Sequence, residues 1–255
     1  MCREKYSVMR LLPLLLVLLF CTCGRAQEFM PILQGSNFTG WHIQIKDQGV
    51  VSPEDQAIFS LRNGQLRVYP GIPDQTPQPY AALITDSVYQ NFHLKLEYKW
   101  GQGKYPPRGD FVRDAGILFH VFDTTQFWAS GLECQIQEGD TGDAWLIGAR
   151  AQSSVQDVIR NYDPKGKIQE RGGTYPRFSR FHRAYCWERT GWNSVEVIVK
   201  GAGAEFYVNG HLVNALQAAE YPGPGDEWLP LDKGRIILQA EGAQIHYRSV
   251  VLKRL

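Results

Sequence analysis

Residues 92–100, Phe-His-Leu-Lys-Leu-Glu-Tyr-Lys-Trp, alternate apolar and polar without a break, and the chain returns to this period of two throughout. Successive side chains of an extended strand point to opposite faces, so Phe92, Leu94, Leu96, Tyr98 and Trp100 form one apolar face for a core. Residues 194–200 repeat the pattern. Residues 204–208 run into Asn209-Gly210 and return through 211–213, the strongest short-range hairpin signal. Further strands are expected at 64–69, 115–122, 131–137, 234–240 and 244–252. So many turn-separated strands, with almost no amphipathic helix, predict an all-β sandwich or jelly roll. Short helical turns are expected only at 153–159 and 214–219. Three irregular stretches, 71–79, 101–114 and 139–181, interrupt the strands, and loops on a rigid sheet are where sites are usually carried.

The chain has 255 residues, with 27 basic and 26 acidic side chains. No Lys/Arg block offers a phosphate-tracking stripe, so nucleic acid is not an expected partner. Arg3, Lys5 and Arg10 precede an apolar run at 11–20, and Gly24-Arg25-Ala26 puts small residues at the positions a signal peptidase reads. Residues 1–26 therefore read as a signal peptide and 27–255 as a single exported domain, secreted or periplasmic. The run is too short for a membrane span of about 20 residues. A lipid anchor at Cys21 or Cys23 is the competing reading. Cys134 and Cys186 remain in the mature chain, either as one disulfide or as two thiols.

In residues 131–137, Leu132, Cys134 and Ile136 form one face and Glu133, Gln135 and Gln137 the other. A carboxyl and two amides in a row offer the donors and acceptors that sugar hydroxyls need, although an ordinary solvated face explains such a row equally well. Asp114 opens the neighbouring strand, in which His120 shares the polar side with Leu118 and reads as a general base or an orienting group. Gln239 and Glu241 share a face near the C-terminus, and Glu97 is a further candidate. Trp128, Trp145, Trp187, Trp192 and Trp228 lie in or beside loops, where they either stack on sugar or staple loops to the core. Arg108-Gly109-Asp110 is set aside as loop composition.

Several segments, in order, resemble the 3-keto-disaccharide hydrolase domain family of secreted bacterial proteins. They are Gly35 to Trp41, Thr85 to Leu94, Asp114-Ala115-Gly116-Ile117, Gly131 to Ile136, Trp192-Asn193 with Asn209-Gly210, and Gly234 to Gln239. The resemblance covers essentially the whole mature chain. It implies a concanavalin A-like jelly-roll β-sandwich of two antiparallel sheets, one of them concave. It also implies cleavage of glycosides oxidised at C3, in which the ketone acidifies the C2 hydrogen, a base removes it and the C1 oxygen leaves. On this reading Glu133 and His120 are catalytic, Glu133 as carboxylate base or metal ligand with His120 assisting, and Gln135, Gln239, Asp114, Glu241 and Trp145 bind the sugar. A divalent metal ion is one way to stabilise the enolate. The chain departs from the family pattern at Asp114-Ala115, His120 and Ala240-Glu241. A lectin-like module on the same fold, or a structural sandwich, are the alternatives.

Overall fold

The computed structural model describes residues 1, 28–156, 161–225 and 227–255. Apart from Met1, the leader with Cys21 and Cys23 lies outside the described residues, as does 157–159 of the first expected helical turn. Among the described residues no helix is long and apolar enough to cross a membrane.

The strands among the described residues are Met30–Pro31 (β1), Trp41–Ile45 (β2), Gly49–Val51 (β3), Phe59–Arg62 (β4), Gln65–Val68 (β5), Ala81–Thr85 (β6), Phe92–Lys104 (β7), Asp114–Asp123 (β8), Ser130–Gln137 (β9) and Ala144–Ile147 (β10). They continue with Arg150–Val155 (β11), Lys167–Gly172 (β12), Phe178–Phe181 (β13), Asn193–Lys200 (β14), Gly203–Val208 (β15), His211–Pro222 (β16), Trp228–Pro230 (β17), Arg235–Ala240 (β18) and Ala243–Arg254 (β19). They form two antiparallel sheets, the all-β jelly-roll sandwich that the sequence leads one to expect. The larger sheet runs β12-β11-β16-β15-β14-β7-β19-β5-β4, with β1 on β19 and β17 on β16. The smaller runs β13-β10-β9-β8-β18-β6-β2-β3.

The core lies between the sheets. From the larger come Phe92, Leu94, Leu96 and Tyr98 of β7, with Val195, Val197 and Val199 of β14. They meet Ile117 and Phe119 of β8, Leu132, Cys134 and Ile136 of β9, and Leu238 of β18. Fully burying each large aliphatic or aromatic side chain contributes about 1.5–3 kcal/mol, which makes the alternation enforceable: a one-residue slip would turn every one of them outward. Asn209 and Gly210 both have positive φ, 50° and 81°, as the tight turn between β15 and β16 requires.

Three local expectations need correction. Residues 139–181 are not one long loop, because β10, β11, β12 and β13 lie within it. Residues 153–155 belong to β11, and 214–219 to β16, rather than to helical turns. Pairing to β15 and β11 outweighs weak local propensity there, and buried Asn214 donates its amide to the carbonyls of Gly142 and Phe181. Glu97 sits on the larger sheet, accepts from Arg248 at 2.9 and 3.1 Å, and does not join the polar groups of the smaller one. Cys134 is a buried thiol and Cys186 an exposed one, so they do not pair.

Candidate functional site

The smaller sheet turns one face to the core and the other to a pocket. Its central strands β9, β8 and β18 are neighbours, and their register decides what meets there. Gly116 pairs with Gln135 and Leu118 with Glu133, while Leu238 pairs with Ile117, which sets Gln239 beside Gly116. Since Ile117, Cys134 and Leu238 are in the core, alternation sends Asp114, Gly116, Glu133, Gln135 and Gln239 to the pocket face. Glu241 follows just past β18. The result is a ring of polar side chains around a residue that has none.

Gly116 is the floor of that ring. A Cβ there would overlap Oε1 of Glu133 and Oε1 of Gln239, whose side chains lean over it from the two flanking strands. The oxygen of Gln239 is buried with no hydrogen-bond partner. Gln135 donates its amide to Asp114 at 2.6 Å, and Gln137 donates to Asp140 at 3.0 Å. Arg108 arrives from the loop after β7. It pairs with Asp114 at 2.5 Å and reaches Glu241 at 3.4 Å.

Burial dominates the electrostatics. It pushes the Glu133 carboxyl well above the usual carboxylate range, and the neighbouring charges of Glu241 and Asp114 add to the effect. Burial likewise raises Asp114 to about 7 and Glu241 to about 8, against the pull of Arg108 on both. One guanidinium between two buried carboxyls cannot keep both ionised. The arrangement therefore offers a neutral acid, Glu133, beside a carboxyl pair poised to gain or lose a proton near neutral pH.

These polar groups line a cavity of about 270 Å3, together with Trp128, Trp145, Ile147 and Phe178. On the same face of the sheet Ala82, Ile84, Leu118, Val121, Ala129, Ile147 and Ile237 form a second apolar cluster under Phe127. That cluster fills the face next to the ring, so the ring is a pocket bounded on this side. The donor set does not suit a divalent cation. Among the described residues no group of three or more His, Cys, Asp or Glu side chains is arranged to hold a metal ion, and Arg108 already supplies positive charge between Asp114 and Glu241.

The structure thus brings together Glu133, Gln135, Gln239, Asp114, Glu241 and Trp145, all named from the sequence. It does not bring His120. The register of β8 shifts after Phe119, and His120 takes a left-handed backbone with φ 47°. That turn breaks the alternation and aims the ring at the carbonyls of Leu231 (3.0 Å) and Gln90 (3.1 Å). Burial holds its pKa below the usual histidine value. It is a packing residue at the sheet's other end. Sequence reasoning missed Gly116, Arg108, Trp128 as a lining residue and Phe178. A glycine inside an apolar strand is a signal of close approach and could have revealed Gly116. Nothing local marks Arg108, which shares its tripeptide with ordinary loop residues.

Residues 28–253 match the model of a family described as the 3-keto-alpha-glucoside-1,2-lyase-like domain. None of the curated proteins compared with the chain matches it. Among solved structures, a candidate glycosyl hydrolase from Parabacteroides distasonis is 19% identical with a TM-score of 0.51, covering 89% of this chain and 100% of its own. Another from the same organism is 18% identical with a TM-score of 0.53, covering 89% of this chain and 94% of its own. At such identities these two likenesses speak for the fold.

Proposed function

The chain belongs to the 3-keto-alpha-glucoside-1,2-lyase-like domain family, and from that premise we propose that it acts on carbohydrate, cleaving the C1–O bond of a glycoside whose C3 is a ketone. The observation that carries this reading is the ring around Gly116, in which a neutral acid and a carboxyl pair of intermediate acidity face one cavity.

In this reading the sugar ring lies above the Glu133 and Gln239 side chains that cover Gly116. An ionised carboxylate of the Asp114–Glu241 pair takes the C2 proton. The C2–H electrons move toward the C3 oxygen as an enolate, and Arg108 offsets the charge that develops. The carbonyl then re-forms, the C1=C2 double bond forms, and the C1–O pair departs with the leaving oxygen. Glu133, kept protonated by its burial, gives that oxygen its proton. Water adding across C1=C2 completes a hydrolysis, and release without it is an elimination. The sequence-based expectation made Glu133 a base or a metal ligand; its buried, uncharged state favours the acid role. Gln135 and Gln239 hold hydroxyls. The same reading puts the enzyme outside the cytoplasm, supported by the basic and apolar leader at 1–26.

The test is to incubate the purified protein with methyl 3-keto-glucoside and follow methanol release, in parallel with a substrate deuterated at C2. Release with a primary isotope effect, slowed about 100-fold or more in Glu133→Gln, is expected. Binding of the sugar without release by the wild type would make the chain a lectin-like module and overturn the catalytic reading.

A further inference from the structure

The pocket has two chemically different ends. The ring around Gly116 is polar. Beyond Glu133 the wall is aromatic: Trp145 is the direct cross-strand partner of Glu133, and Phe178 pairs with Ile147 one strand further out. Both rings line the cavity, and Phe178 is 46% exposed, so its surface is available to a ligand.

Of the polar side chains nearest these rings, Arg177 is engaged by the protein and Arg180 partly so. Arg180 lies over the Trp145 ring, 5.1 Å from its centroid, and reaches Asp143 at 3.4 Å. Arg177 lies over the Phe178 ring at 5.6 Å and donates to Gln126, the Trp128 carbonyl and Ser130. A second sugar at this end would bring hydroxyls that have to give up water for few partners, at a cost for each one left unpaired. A flat apolar ring needs none.

The geometry also fixes an order. If Glu133 protonates the leaving oxygen, that oxygen lies between a sugar over Gly116 and a group over Trp145. Granted the elimination proposed above, we infer that the Trp145–Phe178 end is a leaving-group subsite for an aromatic aglycone, so that the substrates are 3-keto-glycosides of aryl or arylmethyl alcohols. Stacking on Trp145 and Phe178 holds the aglycone while the ring around Gly116 holds the oxidised sugar.

The experiment compares the benzyl and methyl 3-keto-glucosides and a 3-keto-disaccharide in wild type and Phe178→Ala. Benzyl and methyl alkoxides are similar leaving groups, so their difference reports the ring. Losing one stacking partner lowers kcat/KM for the benzyl substrate roughly fivefold more than for the methyl substrate, with the disaccharide behaving like the methyl compound. Equal losses on benzyl and methyl substrates, no loss on either, or a disaccharide that loses as much as the benzyl compound would overturn the subsite. Should the wild type turn over none of the three, the elimination itself fails. Calorimetric binding of benzyl and methyl glucoside then reads the subsite alone: a benzyl preference weakened by Phe178→Ala keeps it, and an unchanged preference or none removes it.

Discussion

Replacing Gly116 by alanine adds one methyl group at the centre of the polar ring. Its position would overlap Oε1 and Cδ of Glu133 and Oε1 of Gln239, all of them side-chain ends that can swing away. The backbone of Gly116 is not in the left-handed region, so alanine fits it without strain. The lost freedom of the unfolded chain even contributes about 0.4–1 kcal/mol in favour of the variant. Against this stands an overpacking cost of about 1–3 kcal/mol in a well-packed site. The net destabilisation is then about 0–2.6 kcal/mol, at most several degrees in Tm for a domain of this size. Activity should suffer far more. The Glu133 carboxyl has to move by an ångström or so, and misplacement on that scale costs about 100-fold. The assay pairs thermal unfolding with kcat/KM on methyl 3-keto-glucoside. A variant that is folded, nearly as stable and still fully active would refute the idea that catalysis occurs over Gly116. So would a collapse in Tm large enough to account for the lost activity.

Three other outcomes are expected. Glu133→Gln keeps the size of the buried side chain and removes its proton, so kcat falls about 100- to 10,000-fold with Tm little changed; unaltered kcat would remove Glu133 from the chemistry. Asp114 and Glu241, raised by burial from 3.8 and 4.5 to about 7 and about 8, bind protons more tightly folded than unfolded. Their contribution to stability is complete below the unfolded values and is lost as pH rises through the folded ones, so resistance to urea declines from about pH 5 to pH 8. Glu241→Gln should flatten that decline, and a wild type that grows more stable over the same window would contradict the burial described for the pair. His120→Ala leaves the carbonyls of Leu231 and Gln90 without its ring, costing about 1–3 kcal/mol, while kcat per folded molecule is retained. A fall in kcat without a fall in stability would return His120 to the site.

Much of the architecture could be read locally. Alternation in 92–100 and 131–137 is a property of the extended backbone itself, and it assigned Leu94, Leu96, Cys134 and Ile136 to the core as the structure has them. Asn209-Gly210 carried its own turn, because those two residues tolerate positive φ. The same local logic misled where a bulge interrupts it. His120 obeys the period on paper and breaks it in three dimensions, since one left-handed residue reverses the face of its side chain. Residues 144–181 read as loop because their strands are short, and β10 and β11 each take one neighbour, β13 and β16, from further along the chain than the adjacent hairpin.

From its sequence alone the chain determined two sheets, a polar row on the strand of Glu133 and the residue types that could serve a sugar. Only the tertiary structure decided that Gly116, Glu133 and Gln239 share one space, and that Arg108 comes to stand between Asp114 and Glu241. The physical reason is range. The direction of a side chain from a strand is set by its own backbone, whereas which strands lie side by side is set by burial and pairing summed over the whole chain. The pocket exists only after that larger sum has been made.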